Sequence, residues 1–152
     1  MATPKNRITK AELPPPTESQ EQIALFEWVE YAMARYPELK LLFHVPNGEL
    51  RNKVVAARLK KEGVRSGVPD LVLPVARGGY HGLYIEMKRI RHGKVSKDQR
   101  EWLDALNEQN YCAIVCKGAD EAQEALVRYL KKPKTIIAVE SNDIWHDNLH
   151  DK

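Results

Sequence analysis

Asp70, preceded by Pro69, and the triplet Glu86-Met87-Lys88 stand on either side of Gly78-Gly79. A hairpin turning at the two glycines brings Asp70 level with Glu86 to within about one residue of register, and residues opposite each other in such a pair share a sheet face. Glu86 and Lys88, two apart on one strand, share a face as well. Two carboxylates and an ammonium would then meet on one small patch, although the strand positions between them, Leu71, Leu73, Leu83, Ile85 and Met87, are apolar. Hard divalent cations prefer such oxygen ligands. A lysine beside a metal-bound water can position the nucleophile or offset negative charge developing on a phosphate, so the group suits metal-assisted hydrolysis of a phosphodiester. A surface ion pair across a hairpin would use the same three residues, and their surroundings have to decide between the two.

The elements that must hold them can be read from pattern. Thr17 and Gln20 form a capping box, and Leu25, Phe26, Val29, Ala32, Met33 and Tyr36 then follow on one helical stripe as far as Pro37. Leu39 to Val45 is short and apolar, which suits a strand buried on both faces, and Pro46-Asn47-Gly48 forces a turn after it. Val54, Val55, Arg58 and Leu59 predict a second helix closed by Gly63. The hairpin follows, from Pro69 through the glycines to Lys88. Arg89, Arg91, His92 and Lys94 crowd a segment without apolar periodicity, which reads as a mobile basic loop outside the core. Ser96 and Gln99 repeat the capping-box spacing before a helix with Trp102, Leu103 and Leu106 inward and Asn110 as its stop. Tyr111 to Cys116 reads as a strand, and residues 119–131 as a helix carrying Ala122, Leu126, Tyr129 and Leu130 up to Pro133. The order predicts an α/β fold, a mixed central sheet flanked by helices.

The 152 residues, 43% of them hydrophobic, fit one domain with a core of its own. Residues 1–16, ending in Leu-Pro-Pro-Pro, read as an extended or disordered arm, residues 17–132 as the domain, and residues 133–152 as a short appended strand around Ile136, Ile137 and Val139 with a polar tail. A formal charge of +3 is compatible with a polyanionic partner without demanding one. Cys112 and Cys116 read as buried free thiols in a reducing cytosol, since no second Cys/His pair stands at zinc-site spacing. No apolar run approaches the roughly 18 residues of a membrane span, and the amino terminus lacks an apolar secretory core, so a soluble cytoplasmic protein is expected.

Five stretches, in order, carry a resemblance: Glu18-Ser-Gln-Glu-Gln22, His44-Val-Pro-Asn-Gly48, Gly63-Val-Arg-Ser-Gly-Val-Pro-Asp70, Tyr84-Ile-Glu-Met-Lys88, and Ser96-Lys-Asp-Gln99 ahead of Trp102-Leu103. Together they resemble the VRR-NUC family, the virus-type replication-repair nucleases of the PD-(D/E)xK superfamily, over about residues 18–130. The resemblance implies a restriction-endonuclease-like core and Mg2+ or Mn2+ as cofactor. It makes Asp70 and Glu86 metal ligands, lends the Met87 carbonyl to the same ion, gives Lys88 the attacking water to align, and has Gln99 orient Lys88 or a phosphate. Glu18, four before Gln22 as the family pattern prefers, is favoured over Glu21 as the additional acid, because residues four apart share a helix face. Asn47 and Gly48 would approach the DNA backbone. The chain looks like the stand-alone members, which are similar to homodimeric Holliday-junction resolvases. Metal-dependent cleavage of four-way junctions is therefore the implied activity, with flap or other branched-DNA cleavage, or a non-catalytic DNA-binding module on the same fold, as alternatives.

Around this centre Arg51, Arg65, Ser66, Arg89, Arg91 and Lys94 are the candidates for contacting DNA, with Lys60 and Lys61 beside them, although charge runs are commonly solvated faces. His44 reads as a hydrogen-bonded structural residue. Trp28, Trp102 and Tyr84 lie at core spacings and read as packing rather than base-stacking residues. His146 and His150, in the tail, make no case for a metal.

Overall fold

Thr17 opens the first helix, α1 (Glu18–Ala32), through the expected reciprocal cap: its hydroxyl accepts from the Gln20 N–H and the Gln20 side chain accepts from the Thr17 N–H. The structure, a computed structural model, describes residues 14–46 and 53–136. Asn47, Gly48 and Arg51, most of the amino-terminal arm, and Ile137, Val139, His146 and His150 lie outside the described residues. The remaining elements are β1 (Phe43–His44), α2 (Lys53–Lys61), β2 (Leu71–Leu73), β3 (Leu83–Lys88), α3 (Lys97–Glu108), β4 (Cys112–Lys117) and α4 (Gly118–Leu130). Their order is the predicted one.

The expected strand over Leu39 to Val45 is the main departure. Pro37 instead starts a 3-10 helix, Pro37–Leu41, and only Phe43 and His44 pair, as an exposed edge strand. Leu39 and Leu42 are buried while Leu41 and Phe43 are exposed. The buried spacing of three is the period of a 3-10 turn, and proline at its start supplies the required φ.

The sheet runs in the order β1-β2-β3-β4, antiparallel except for the parallel β3–β4 pair. Leu71 pairs with Ile85 and Leu73 with Leu83, so the same register carried one step outward sets Asp70 opposite Glu86. At the other end Arg77 bridges to Tyr80 around Gly78 and Gly79, whose φ values of +60° and +88° are those of a tight hairpin turn that side chains resist. After α4 the chain returns to this tip, where Gly78 N–H donates to the Pro133 carbonyl (2.8 Å) and Lys134 bridges to Arg77.

Alternation splits the sheet between two cores. Leu71, Leu73, Leu83, Ile85, Met87 and Cys116 join Leu25 and Val29 of α1 and Ala122, Leu126 and Tyr129 of α4. Tyr84, Ala113 and Val115 point the other way and pack with Trp102, Leu103 and Leu106 of α3. Both cysteines are free thiols, Cys116 buried. No helix among the described residues is long and apolar enough to cross a membrane.

Candidate active site

The face of β3 that carries Tyr84 also carries Glu86 and Lys88, and near the strand's end it passes from the α3 core into a cleft. Glu86 is 1% exposed and Lys88 6%. Lys88 Nζ donates to Glu86 Oε1 at 2.7 Å, and Gln99 Nε2 donates to the same oxygen at 2.5 Å. Glu86 Oε2 is buried and has no hydrogen-bond partner among the described residues. Asp70 joins them from the neighbouring strand: its Oδ2 accepts from the Met87 N–H at 2.7 Å, while its carbonyl accepts from the Val45 N–H (2.8 Å) and lies 3.0 Å from His44 Nδ1. A surface ion pair across a hairpin does not describe a lysine and a glutamate this deeply enclosed.

Burial dominates the electrostatics. Desolvation pushes the Glu86 carboxyl up to about 7 from an ordinary 4.5, against the opposing pull of the Lys88 hydrogen bond, with the Asp70 charge adding to the rise. Desolvation also raises Asp70, opposed by the Met87 hydrogen bond and by Lys88. Two carboxyls short of compensation, one with an unsatisfied buried oxygen, are what a site built for a hard cation looks like. The donor set fits Mg2+ or Mn2+ as a pair of carboxylates completed by other oxygens. Among the described residues no group of three or more His, Cys, Asp or Glu forms a ready-made metal cage.

Helix α1 presents its two first-turn acids to different tasks. Glu18 is half exposed, lines the cleft, and has Oε1 3.9 Å from Lys88 Nζ. Glu21 is buried, and its Oε2 accepts from the Ala119 N–H at 2.8 Å, capping α4. Gln99 sits at the third position of α3, where its Oε1 accepts from the Ser96 N–H at 2.8 Å and completes that helix's cap. Its amide nitrogen reaches Glu86, the carboxylate that also holds Lys88, and the residue lines the cleft.

Of the expected DNA-contacting residues, Arg65 and Ser66 line the cleft beside the acids, and Lys60 joins them from α2. The Ser66 hydroxyl is engaged, donating to Asp98 Oδ2 at 2.7 Å. Gly67 lies so close to Asp98 that an added Cβ would stand 2.6 Å from its carbonyl carbon, which ties the α2–β2 connection to the start of α3. Arg89, Arg91 and Lys94 occupy the exposed loop that leaves Lys88 and do not border the cleft. Sequence reasoning missed the opposite wall, Ala56 and Ala57 of α2 with Val64 and Val68, because nothing in small aliphatic residues announces a cavity. It also assigned Trp102 to packing alone, whereas Trp102 packs and borders the cleft.

A family model, that of the VRR-NUC domain, matches residues 17–120. Among curated proteins no significant match is found. Among solved structures, one described as a VRR_NUC domain protein is similar, with 30% sequence identity over 80% of this chain and 94% of that chain, at a TM-score of 0.68.

Proposed function

The chain belongs to the VRR-NUC family and has its nuclease-type fold, and from that premise we propose that it is a metal-dependent, structure-selective DNA endonuclease. Its proposed substrates are branched DNA, four-way junctions foremost, cut by a homodimer, because paired nicks across a junction need two sites related by a two-fold axis. The observation that carries the reading is the buried, partnerless Glu86 Oε2 beside Asp70 and Lys88.

Asp70 and Glu86 would hold Mg2+ or Mn2+, which when bound supplies a Lewis acid that lowers the pKa of water and offsets phosphate charge. The chain's own residues do the positioning. Lys88 is fixed by its bond to Glu86 and keeps further N–H donors to align a water or hold a phosphate oxygen. Gln99 fixes Glu86 in turn, from a helix cap that cannot shift without breaking the first turn of α3. Glu18 stands at the cleft's edge as a third acid near Lys88. Attack on phosphorus in line with the leaving oxygen gives a 3'-hydroxyl and a 5'-phosphate.

Cleavage of linear duplex, flap and four-way-junction DNA in Mg2+, Mn2+ or chelator tests this directly. The parent should cut branched DNA only with metal, and Glu86→Ala and Lys88→Ala should bind it without cutting. Equal cutting by Lys88→Ala and the parent would remove Lys88 from the mechanism. Binding with no cutting in either metal would leave a DNA-binding module on a nuclease fold.

A further inference from the structure

The cleft is larger than a scissile phosphate needs. Open on one side, it has a volume of about 730 Å3, within the roughly 300–1,000 Å3 of pockets that hold small organic ligands. Its lining is mixed: beside the acids and Lys88 it includes Ala56 and Ala57 of α2, Val64 and Val68, and Trp102 of α3. Trp102 is half-buried, with the Leu103, Leu106 and Ala113 cluster behind it. Lys60 and Arg65 complete the lining, and neither pairs with a carboxylate among the described residues.

A phosphodiester alone calls for donors and cations and gains nothing from aliphatic walls and an indole. A nucleobase gains from both, because every base has a face that stacks on an aromatic ring while basic side chains follow the backbone. We infer that the cleft receives an unpaired nucleotide adjoining the scissile phosphate, with its base against Trp102 and the α2 alanines and its flanking phosphates on Lys60 and Arg65. This rests on the nuclease reading of the same site and names its substrate class: DNA with at least one unpaired nucleotide beside the cut, as at a flap, a splayed arm or an open branch point. A base within an intact duplex must first be drawn from the stack, a cost that an already unpaired base does not carry.

The test reads binding without cutting. Flap and four-way-junction oligonucleotides carrying 2-aminopurine at successive positions around the branch are bound in chelator by the parent, Trp102→Phe and Trp102→Leu. One unpaired position should be quenched by the parent and by Trp102→Phe, which keeps an aromatic face, and not by Trp102→Leu. Affinity of Trp102→Leu for DNA with unpaired bases should fall about 5- to 100-fold, with linear duplex binding and the salt slope unchanged. Lys60→Ala and Arg65→Ala should each lower that slope by about one. Should Trp102→Leu not fold, the position mapped with the parent and its retention in Trp102→Phe still decide. Equal quenching by Trp102→Leu, equal affinity loss for linear duplex, or no quenched position overturns the inference. Quenching with no cutting of any DNA in Mg2+ or Mn2+ would instead keep the nucleotide site and remove the enzyme reading, and cutting without quenching would do the reverse.

Discussion

Glu86 gives the fold a pH dependence with a definite sign. Its carboxyl titrates near 7 in the folded chain against 4.5 ordinarily, chiefly through burial. Between those two values the folded state holds a proton that the unfolded state has released, so stability is highest below the lower value and declines as pH rises through the upper one. For a single group the loss between about pH 5 and about pH 8 is on the order of 2–3 kcal/mol. In a chain of 152 residues that is about 5–10 °C of melting temperature. The perturbation is Glu86→Gln, which keeps the shape and an oxygen for Lys88 and Gln99 but cannot ionise. Because Lys88 has only a neutral acceptor in the variant, whereas in the parent Glu86 becomes its charge partner as pH rises, the decisive quantity is the change in the difference between parent and variant, not either absolute value. Thermal melts in chelator should show the parent losing about 5–10 °C more than Glu86→Gln over that interval. A saturating divalent cation should restore most of the loss in the parent at the alkaline end, since a ligand that binds only the folded state stabilises it. Parallel melting curves across the interval would refute the argument that burial, uncompensated by Lys88, governs this carboxyl.

The two first-turn acids of α1 separate cleanly. Glu18→Ala should leave stability within about 0.5 kcal/mol while slowing cleavage, whereas Glu21→Ala removes the cap on Ala119 and should cost about 1–2 kcal/mol in a denaturant melt. Gln99→Glu keeps a competent capping-box residue but sets a carboxylate where an amide now donates to Glu86. It should move the alkaline-rising limb of the pH–rate profile to higher pH, and Gln99→Met, which adds no charge, should not do so by repulsion. Asn107 engages both the N–H (3.1 Å) and the carbonyl (3.0 Å) of Ala113 on the open side of β4. Asn107→Ala should cost about 1–3 kcal/mol and raise light scattering with concentration as that edge becomes available for pairing.

Much of this arrangement was legible because it rests on short-range rules. Both capping boxes, the glycine turn and the i, i+2 relation of Glu86 and Lys88 are fixed by residues no more than a few positions apart, and each appears where pattern places it. The pairing of Asp70 with Glu86 was legible only to within one residue: the tip pair Arg77–Tyr80, continued unbroken, would set Asp70 opposite Met87, and a one-residue offset before β2–β3 sets it opposite Glu86. What could not be read depends on packing between distant segments. Glu18 and Glu21 are the same residue type one turn apart, and only the arrival of α4 distinguishes a cleft acid from a buried cap. Gln99 announced its cap through Ser96 three residues away, but its second bond spans the gap to another element. The 3-10 turn reads as a strand because five apolar residues in the seven from Leu39 to Val45 satisfy either period when the proline ahead is taken only as a terminator.

The register that builds the core also builds the site, and neither can be changed alone. On β3, Leu83, Ile85 and Met87 fill the α1–α4 side while Tyr84, Glu86 and Lys88 face α3 and the cleft. A slip of one residue would drive Glu86 and Lys88 into the aliphatic core and expose three large apolar side chains, at a cost far beyond that of leaving one carboxylate oxygen unsatisfied. The strain of a buried glutamate is therefore carried by hydrophobic contacts on the opposite face of the same strand. That coupling explains how a short hairpin can hold a buried carboxyl with one unsatisfied oxygen in place at the edge of a cleft.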